Sequence, residues 1–562
     1  MGGDLGQSPG GRTAPPRSPA GGAFRVASGI LASRLVGFVR DAAFTFFFGV
    51  GPHADVLATA LRGPNVLQNL LGEQTLSASF IPVYTRFLGA GREEDAGRFA
   101  GAVLGLLVAA VAGLSILGVV FARPIVAVLA PGYLDDPGGP GAVDRYHLTV
   151  RAVRIIFPMS GLLVLSAWAL GVLNSHRRFF LAYFAPVFWN VAILAGLFGG
   201  ARLVAGEGPG APAAFGVPAL DRLLLAACWG ALAGGALQFA VQLPLAARLL
   251  RGFRLAFSRR VPGVPEALRA FGPLLAGRGV LQLSGYLDFF LASFLAVGAV
   301  GSLRWAQALY LLPIALFGMS VAAAELPELS RASSGEPSAR VERSRRALAQ
   351  IGFLAVPSAI GYLAFGFLLV GAVFRRGSFG VGDNWLVYLV LCGYAIGIVA
   401  STASRLLGNV FYSLGETRIP ARIAVWRVAG SALLGGALML WLDRHLVAEV
   451  VGMPPAERTL RLGAVGLALA SGLAAWLELG LLTRALRGAA PGFHHPWEAL
   501  RRFTLLALVA ALGGVVVWWF LPALPVLPAA ALVVGCFAVL YLGAAWLLRW
   551  PEARLWGGRA AR

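Results

Sequence analysis

Residues Ser33–Glu73 read SRLVGFVRDAAFTFFFGVGPHADVLATALRGPNVLQNLLGE. The stretch is as apolar as a membrane segment, yet it carries Arg34, Arg40, Asp41, Asp55, Arg62 and Glu73. Ionisable groups at membrane depth are costly and face a protein interior or a water-filled cavity. The segment is therefore expected to line such a cavity, and the cavity to be the functional site. At about 100° per residue on a helix, Asp55, Arg62, Asn69 and Glu73 fall within about 40° of one another, with Asn65 at the margin. In the preceding span Arg34 and Asp41 share a face, while Arg40 points elsewhere. Two readings stay open: internal ion pairs that hold helices together, or guanidinium groups that receive an anion. Arginine suits a diphosphate because its planar fork donates two parallel hydrogen bonds. An apolar groove beside it would suit a lipid tail.

The whole chain supports a membrane setting. Of 562 residues, 58% are hydrophobic and 13% charged, against about 25% charged in a soluble domain. The formal net charge is +21 and there is no lysine. A Walker A loop and a Schiff-base lysine are thereby excluded, so any transport would not run on ATP bound to this chain. There is no HExxH, CxxC or G-x-S-x-G pattern, and nothing indicates an enzyme. Cys228, Cys392 and Cys536 lie in apolar runs as small buried hydrophobes.

With about 20 apolar residues per crossing, the sequence predicts an all-α polytopic membrane protein of about fourteen spans. They fall at 24–48, 54–87, 99–121, 149–173, 181–204, 222–249, 266–297, 302–329, 346–373, 384–413, 421–442, 460–486, 499–520 and 526–549. Gly63-Pro64 is expected to interrupt the second. Arginines concentrate in alternate loops, around Arg177/Arg178, Arg248–Arg260, Arg331–Arg346, Arg418/Arg422 and Arg484/Arg487. By the positive-inside rule these loops and both termini are cytoplasmic. The excess charge is thus a topology signal rather than a nucleic-acid footprint. The expected organisation is a disordered tail (1–21), an N-terminal lobe of six spans (22–250), a basic linker (251–265), a second six-span lobe (266–487), two further spans (488–549) and a tail (550–562). His494-His495, in a turn before Pro496, are read as solvated.

SRLVGFVRD (Ser33–Asp41), FGVGPHAD (Phe48–Asp55) and RGPNVL (Arg62–Leu67) resemble the MurJ/MviN family of lipid II flippases. So do APGY at 130–133, the LN…RF…AP…N series from Leu173 to Asn190, and Arg405 with FYSLGETRIP at 411–420. The resemblance implies a two-lobed transporter of fourteen helices in the bacterial cytoplasmic (inner) membrane. It would move undecaprenyl-diphosphate-linked peptidoglycan precursor, lipid II, between leaflets by alternating access, with cell-wall synthesis proteins as partners. Arg34, Arg40, Asp55 and Glu73 correspond to family residues of the cavity or its gates. Arg62 and Asn65 join them, with Arg304, Arg405 and Gln68 as secondary candidates.

The chain departs from the family at Gln68-Asn69, where an arginine pair is usual, at GEQTL (72–76), and at Ala308, where a cavity arginine is usual. Arg304 lies one turn before Ala308 and is its candidate substitute. Some members place a sodium-ligating aspartate where Asp288 stands, with partner positions at Ser431 and Gly435 here. No cofactor is implied; sodium, a proton or the membrane potential alone are the candidate energy sources. Another polyprenyl-linked oligosaccharide or a small molecule in the same fold, and a transport-deficient scaffold, remain alternative readings.

Overall fold

The structure, a computed structural model, describes residues 19–135, 142–204, 215–315, 337–414, 416–454, 460–489, 492–520 and 524–554. It is all helical. The helices are α1 (Pro19–Phe48), α2 (Pro52–Leu71), α3 (Glu73–Gly89), α4 (Glu93–Val120), α5 (Ala122–Leu129), α6 (Arg145–Ser175), α7 (Phe179–Phe184), α8 (Pro186–Val204), α9 (Val217–Leu249) and α10 (Val264–Ala292). They continue with α11 (Ala299–Pro313), α12 (Pro337–Phe374), α13 (Val381–Ala395), α14 (Ile398–Ser413), α15 (Arg418–Leu442), α16 (Val447–Val451), α17 (Gly463–Ala489), α18 (Trp497–Trp519), α19 (Val526–Leu547) and α20 (Pro551–Arg554).

Among the described residues nine helices are long and apolar enough to cross a membrane, or ten if the pair α13–α14, bent by 40°, is one span. The other expected spans coincide with α1, α2–α3, α10 and α11. These carry the intramembrane charges and polar groups singled out above, or are short within the described residues. The polar composition that removes them from a purely apolar count is what marks them as an interior lining. The expected tail is outside the described residues up to residue 18, and α1 begins at Pro19.

Two helices organise the packing. α6 is surrounded by α2, α3, α4 and α9, and its Trp168 and Leu173 are fully buried. Asp144 caps it, its carboxylate accepting from the His147 N–H at 2.8 Å. In the second half α17 packs against α13, α14 and α15, while α18 and α19 pair with each other and against α12. α11 bridges the two groups, touching α2 on one side and α13 and α17 on the other.

Two expectations change. The second span is not broken at Gly63-Pro64: α2 runs through Pro64 and the break falls at Gly72. A proline removes one donor, which a buried helix tolerates. At Gly72, by contrast, a Cβ would lie 2.2 Å from the Gln68 carbonyl oxygen. His495 is buried and bonds Thr483 Oγ1 at 2.8 Å, so only His494 of that pair is exposed.

The α1–α2 turn depends on Gly49, whose φ is +55° and whose added Cβ would lie 2.6 Å from the Ser378 carbonyl oxygen. Gly49→Ala is expected to cost at least the 1–2 kcal/mol of a left-handed non-glycine residue, about that before the clash is counted. Thermal unfolding in detergent checks it against Gly380→Ala, where a Cβ meets nothing within 4 Å.

Candidate functional site

The site grows from the first turn of α11. Gly298 caps this helix with φ +95°, leaving unpaired N–H groups aimed at α2. Asp55, fully buried, accepts from the Gly298 N–H at 2.8 Å and the Gly301 N–H at 2.7 Å. A helix N-terminus favours negative charge through its free donors and dipole. Gly301 lets the helices approach, since a Cβ there would lie 2.9 Å from Ala54 Cβ. Arg145 adds a guanidinium 3.4 Å from Asp55 and sits over the Tyr133 ring, 4.6 Å from its centroid. Asp55, expected in the cavity or at its gates, is buried as a strut between α2 and α11, its carboxylate bonded to two backbone N–H groups and to Arg145.

The same end is closed by three further contacts. The Ser378 N–H donates to the Phe46 carbonyl at 2.8 Å, and Trp305 Nε1 donates to the Gly49 carbonyl at 3.3 Å. Asp383 Oδ2 accepts from the Val50 N–H at 3.3 Å and the Gly380 N–H at 3.1 Å. These bonds join the α1–α2 turn to α11 and α13 at the arginine-poor end of the bundle.

Below this seal lies a charged cluster. Arg40 donates to Asp41 Oδ1 from Nε at 3.0 Å and from Nη2 at 2.8 Å, and to Asn190 Oδ1 from Nη1 at 2.8 Å. Arg304 Nη2 lies 3.6 Å from the same Asp41 oxygen. Two guanidinium groups thus share one carboxylate, leaving a net positive charge in a mostly buried setting. Arg304 Nε is buried without a hydrogen-bond partner among the described residues. Arg40, expected to point away from Asp41, folds back onto it, because the side chain is long enough to override the helical spacing.

One turn further along α11, Gln307 accepts from Arg62 Nη2 at 2.8 Å and donates to the Tyr394 hydroxyl at 2.9 Å. That hydroxyl donates to Asp288 Oδ2 at 3.4 Å. The Arg62 guanidinium stacks 3.5 Å above the Phe289 ring centroid. Gly301, Arg304 and Gln307, spaced by three residues, therefore meet Asp55, Asp41 and Arg62 in turn.

The structure brings Arg40, Asp55, Arg62, Asp288 and Arg304 to the junction of the two helix groups. Arg34 is exposed on α1, and Arg405 is exposed on α14. Asn65 and Gln68 are half-buried on α2, and the Glu73 side chain lies outside the described residues. Gln307, Tyr394 and Asn190 complete the networks; of these only Asn190 stood in a sequence motif, and none was read as a site residue. Asp288 has a tyrosine hydroxyl as its hydrogen-bond partner and the Arg62 and Arg427 guanidinium groups in electrostatic reach. Among the described residues no three His, Cys, Asp or Glu side chains converge. Arg62 and Arg427 near Asp288 are not ligands of a hard cation.

A buried polar seam between two helix groups, with charges facing each other across it, defines a polytopic membrane transporter rather than an enzyme. The sequence model of the family described as lipid II flippase MurJ matches residues 44–527. A probable lipid II flippase MurJ of Rhizobium tropici is 30% identical over 501 residues, 88% of this chain and 85% of its own. Lipid II flippase MurJ of Burkholderia cenocepacia is 30% identical over 541 residues, 93% of this chain and 96% of its own. A solved structure of lipid II flippase MurJ in an inward closed conformation superposes with a TM-score of 0.72 at 19% identity, over 94% of this chain and 99% of that one. An inward-facing multidrug resistance MATE family transporter of the MOP superfamily gives a TM-score of 0.60 at 15% identity, over 84% and 98%. The chain belongs to the lipid II flippase MurJ family.

Removing one member of a buried charged pair costs about 3–5 kcal/mol. Asp55→Asn is expected to release α11 from α2 and loosen the arginine-poor end. A cysteine at Thr59, buried in the parent, should then react with a membrane-impermeant maleimide applied from that side. An unreactive Thr59→Cys/Asp55→Asn chain would show that the strut does not hold the seal.

Proposed function

We propose that this protein carries lipid II from the cytoplasmic to the periplasmic leaflet of the bacterial inner membrane, with both termini in the cytoplasm. The single observation that supports this most is the cluster in which Arg40 and Arg304 share Asp41 while Arg304 Nε stays unpartnered. A diphosphate supplies the acceptor oxygens that this arrangement lacks. It would compete with Asp41 for both guanidinium groups, each charge-assisted bond contributing about 1.5–3 kcal/mol. Because Arg40 sits on α1 and Arg304 on α11, such a cargo would bridge the two helix groups.

Alternating access then means breaking the contacts at one end while the other closes. With Asp55, Asp383 and Trp305 engaged, the arginine-poor end is shut, and cargo enters from the arginine-rich end. An apolar groove of about 330 Å³ along α12 and α19, lined by Pro313, Leu354, Pro357, Phe365 and Phe537 among others, is suited to a polyprenyl chain. The donor set at Asp288 speaks against sodium, so the membrane potential is the proposed drive. Moving negative charge outward is favoured by about 2.3 kcal/mol per charge per 100 mV. Gln68 and Asn69 thin the positive charge of the cavity, so Arg40, Arg62 and Arg304 carry the anion between them.

The test is rescue of a strain depleted of its own lipid II flippase, scoring which leaflet holds the precursor. The parent chain should restore growth and outward lipid II. Arg40→Ala and Arg304→Ala should each lower flipping by roughly ten- to hundredfold, the equivalent of one charge-assisted bond. Full activity of both variants would overturn the shared-arginine mechanism. Growth rescue with lipid II left on the inner leaflet would point to another cargo.

A further inference from the structure

The segment between α9 and α10 is the one long arginine-rich connection among the described residues that is not helical, and its course is unusual. It lies backbone against backbone on a glycine stripe of α4. An added Cβ at Gly97 would lie 1.9 Å from the Arg251 carbonyl oxygen, at Gly101 2.1 Å from that of Arg254, and at Gly105 2.2 Å from that of Ala256. Eight residues of helix rise about 12 Å. Between Arg251 and Ala256 the linker therefore runs that distance along a helix long and apolar enough to span a bilayer. Phe253 is anchored beside Trp168, with ring centroids 6.4 Å apart. Gly263 brings the chain back to Phe87 and Phe99.

What this seated segment presents outward is mixed. Leu255 and Phe257 are 51% and 62% exposed. Arg254, Arg259 and Arg260 are exposed before and after them. Arg251 is paired with Glu93 at 2.9 Å. The other three have no acidic partner among the described residues. Exposed apolar side chains flanked by cations with no acidic partner among the described residues match the boundary between acyl chains and anionic headgroups. A soluble acidic partner would leave Leu255 and Phe257 in water.

We infer that residues 253–260 form a docking face for the headgroups of anionic phospholipids in the leaflet at the arginine-rich end. Phe257 and Leu255 enter the acyl boundary, and Arg254, Arg259 and Arg260 take the phosphates. The inference is independent of which cargo the central cluster carries.

The full-length protein in detergent micelles is titrated with dioleoylphosphatidylglycerol or dioleoylphosphatidylcholine, and its melting temperature and co-purified lipid are measured. Three interfacial arginines carry roughly a hundredfold preference for the anionic surface. Phosphatidylglycerol should therefore raise the melting temperature at far lower concentration than phosphatidylcholine and be retained in preference. The preference should largely vanish in Arg254→Gln/Arg259→Gln/Arg260→Gln, survive in the matching triple Lys variant, and survive in Arg345→Gln/Arg346→Gln, which removes two arginines elsewhere that pair with Glu342. Equal effects of the two lipids, a preference retained by the triple Gln variant, or equal loss in the Arg345/Arg346 control would overturn it. So would inorganic phosphate reproducing the stabilisation, which would make the site one for soluble anions.

Discussion

Asp55 is the constraint on which the junction depends. A carboxylate with no solvent exposure is tolerable only if its partners are complete, and here two backbone N–H groups and a guanidinium supply them. Because the donors belong to the first turn of α11, the bond sets not only the distance between α2 and α11 but also the rotation of α11. With that rotation set, Arg304 and Gln307 can only face Asp41 and Arg62. The Arg40–Asp41–Arg304 cluster and the polar chain to Asp288 are thus both consequences of where one carboxylate caps one helix.

The distribution of charge follows a second rule. Helices that touch lipid are apolar, and ionisable residues collect on α1, α2, α10 and α11 at the junction. Within it the charges are only partly neutralised. Asp41 serves two arginines, while Arg62 finds an amide oxygen and an aromatic face instead of an acid. An excess of donors over acceptors is what the proposed anionic cargo would draw on. The Asp55 contact and the arginine cluster also share one helix, α11.

Much of this was legible in the sequence, for physical reasons. Charges in apolar runs announce an interior, so Ser33–Glu73 could be read as interior-facing, whereas Arg304 came in only as a substitute for Ala308 through the family resemblance. The helices themselves followed from length and hydropathy. Roles were harder. Asp55 looked like part of a stripe with Arg62 because both share a helical face, yet their partners lie two turns apart on α11. Arg40 defeated a facing argument because its flexible side chain can reach a neighbouring residue. Gln307 and Tyr394 stayed hidden, and Asn190 was read only as part of a motif, because neutral polar side chains are common in buried bundles and acquire meaning only from what they touch. The kink assigned to Pro64 belonged instead to Gly72, where the chain's own carbonyl leaves no room for a side chain.

The strut at Asp55 has a genetic consequence. Most ion pairs can be repaired after damage by exchanging charge on the partner side chain. Here the principal partners are main-chain amides, which no codon change can reverse in sign, and both belong to glycines. A lineage that lost the carboxylate could not recover it by compensating at Gly298 or Gly301, and adding a side chain at either would worsen the fit. Reversion at residue 55 itself, or a new acceptor on an adjacent turn of α2, would be the paths left open to evolution.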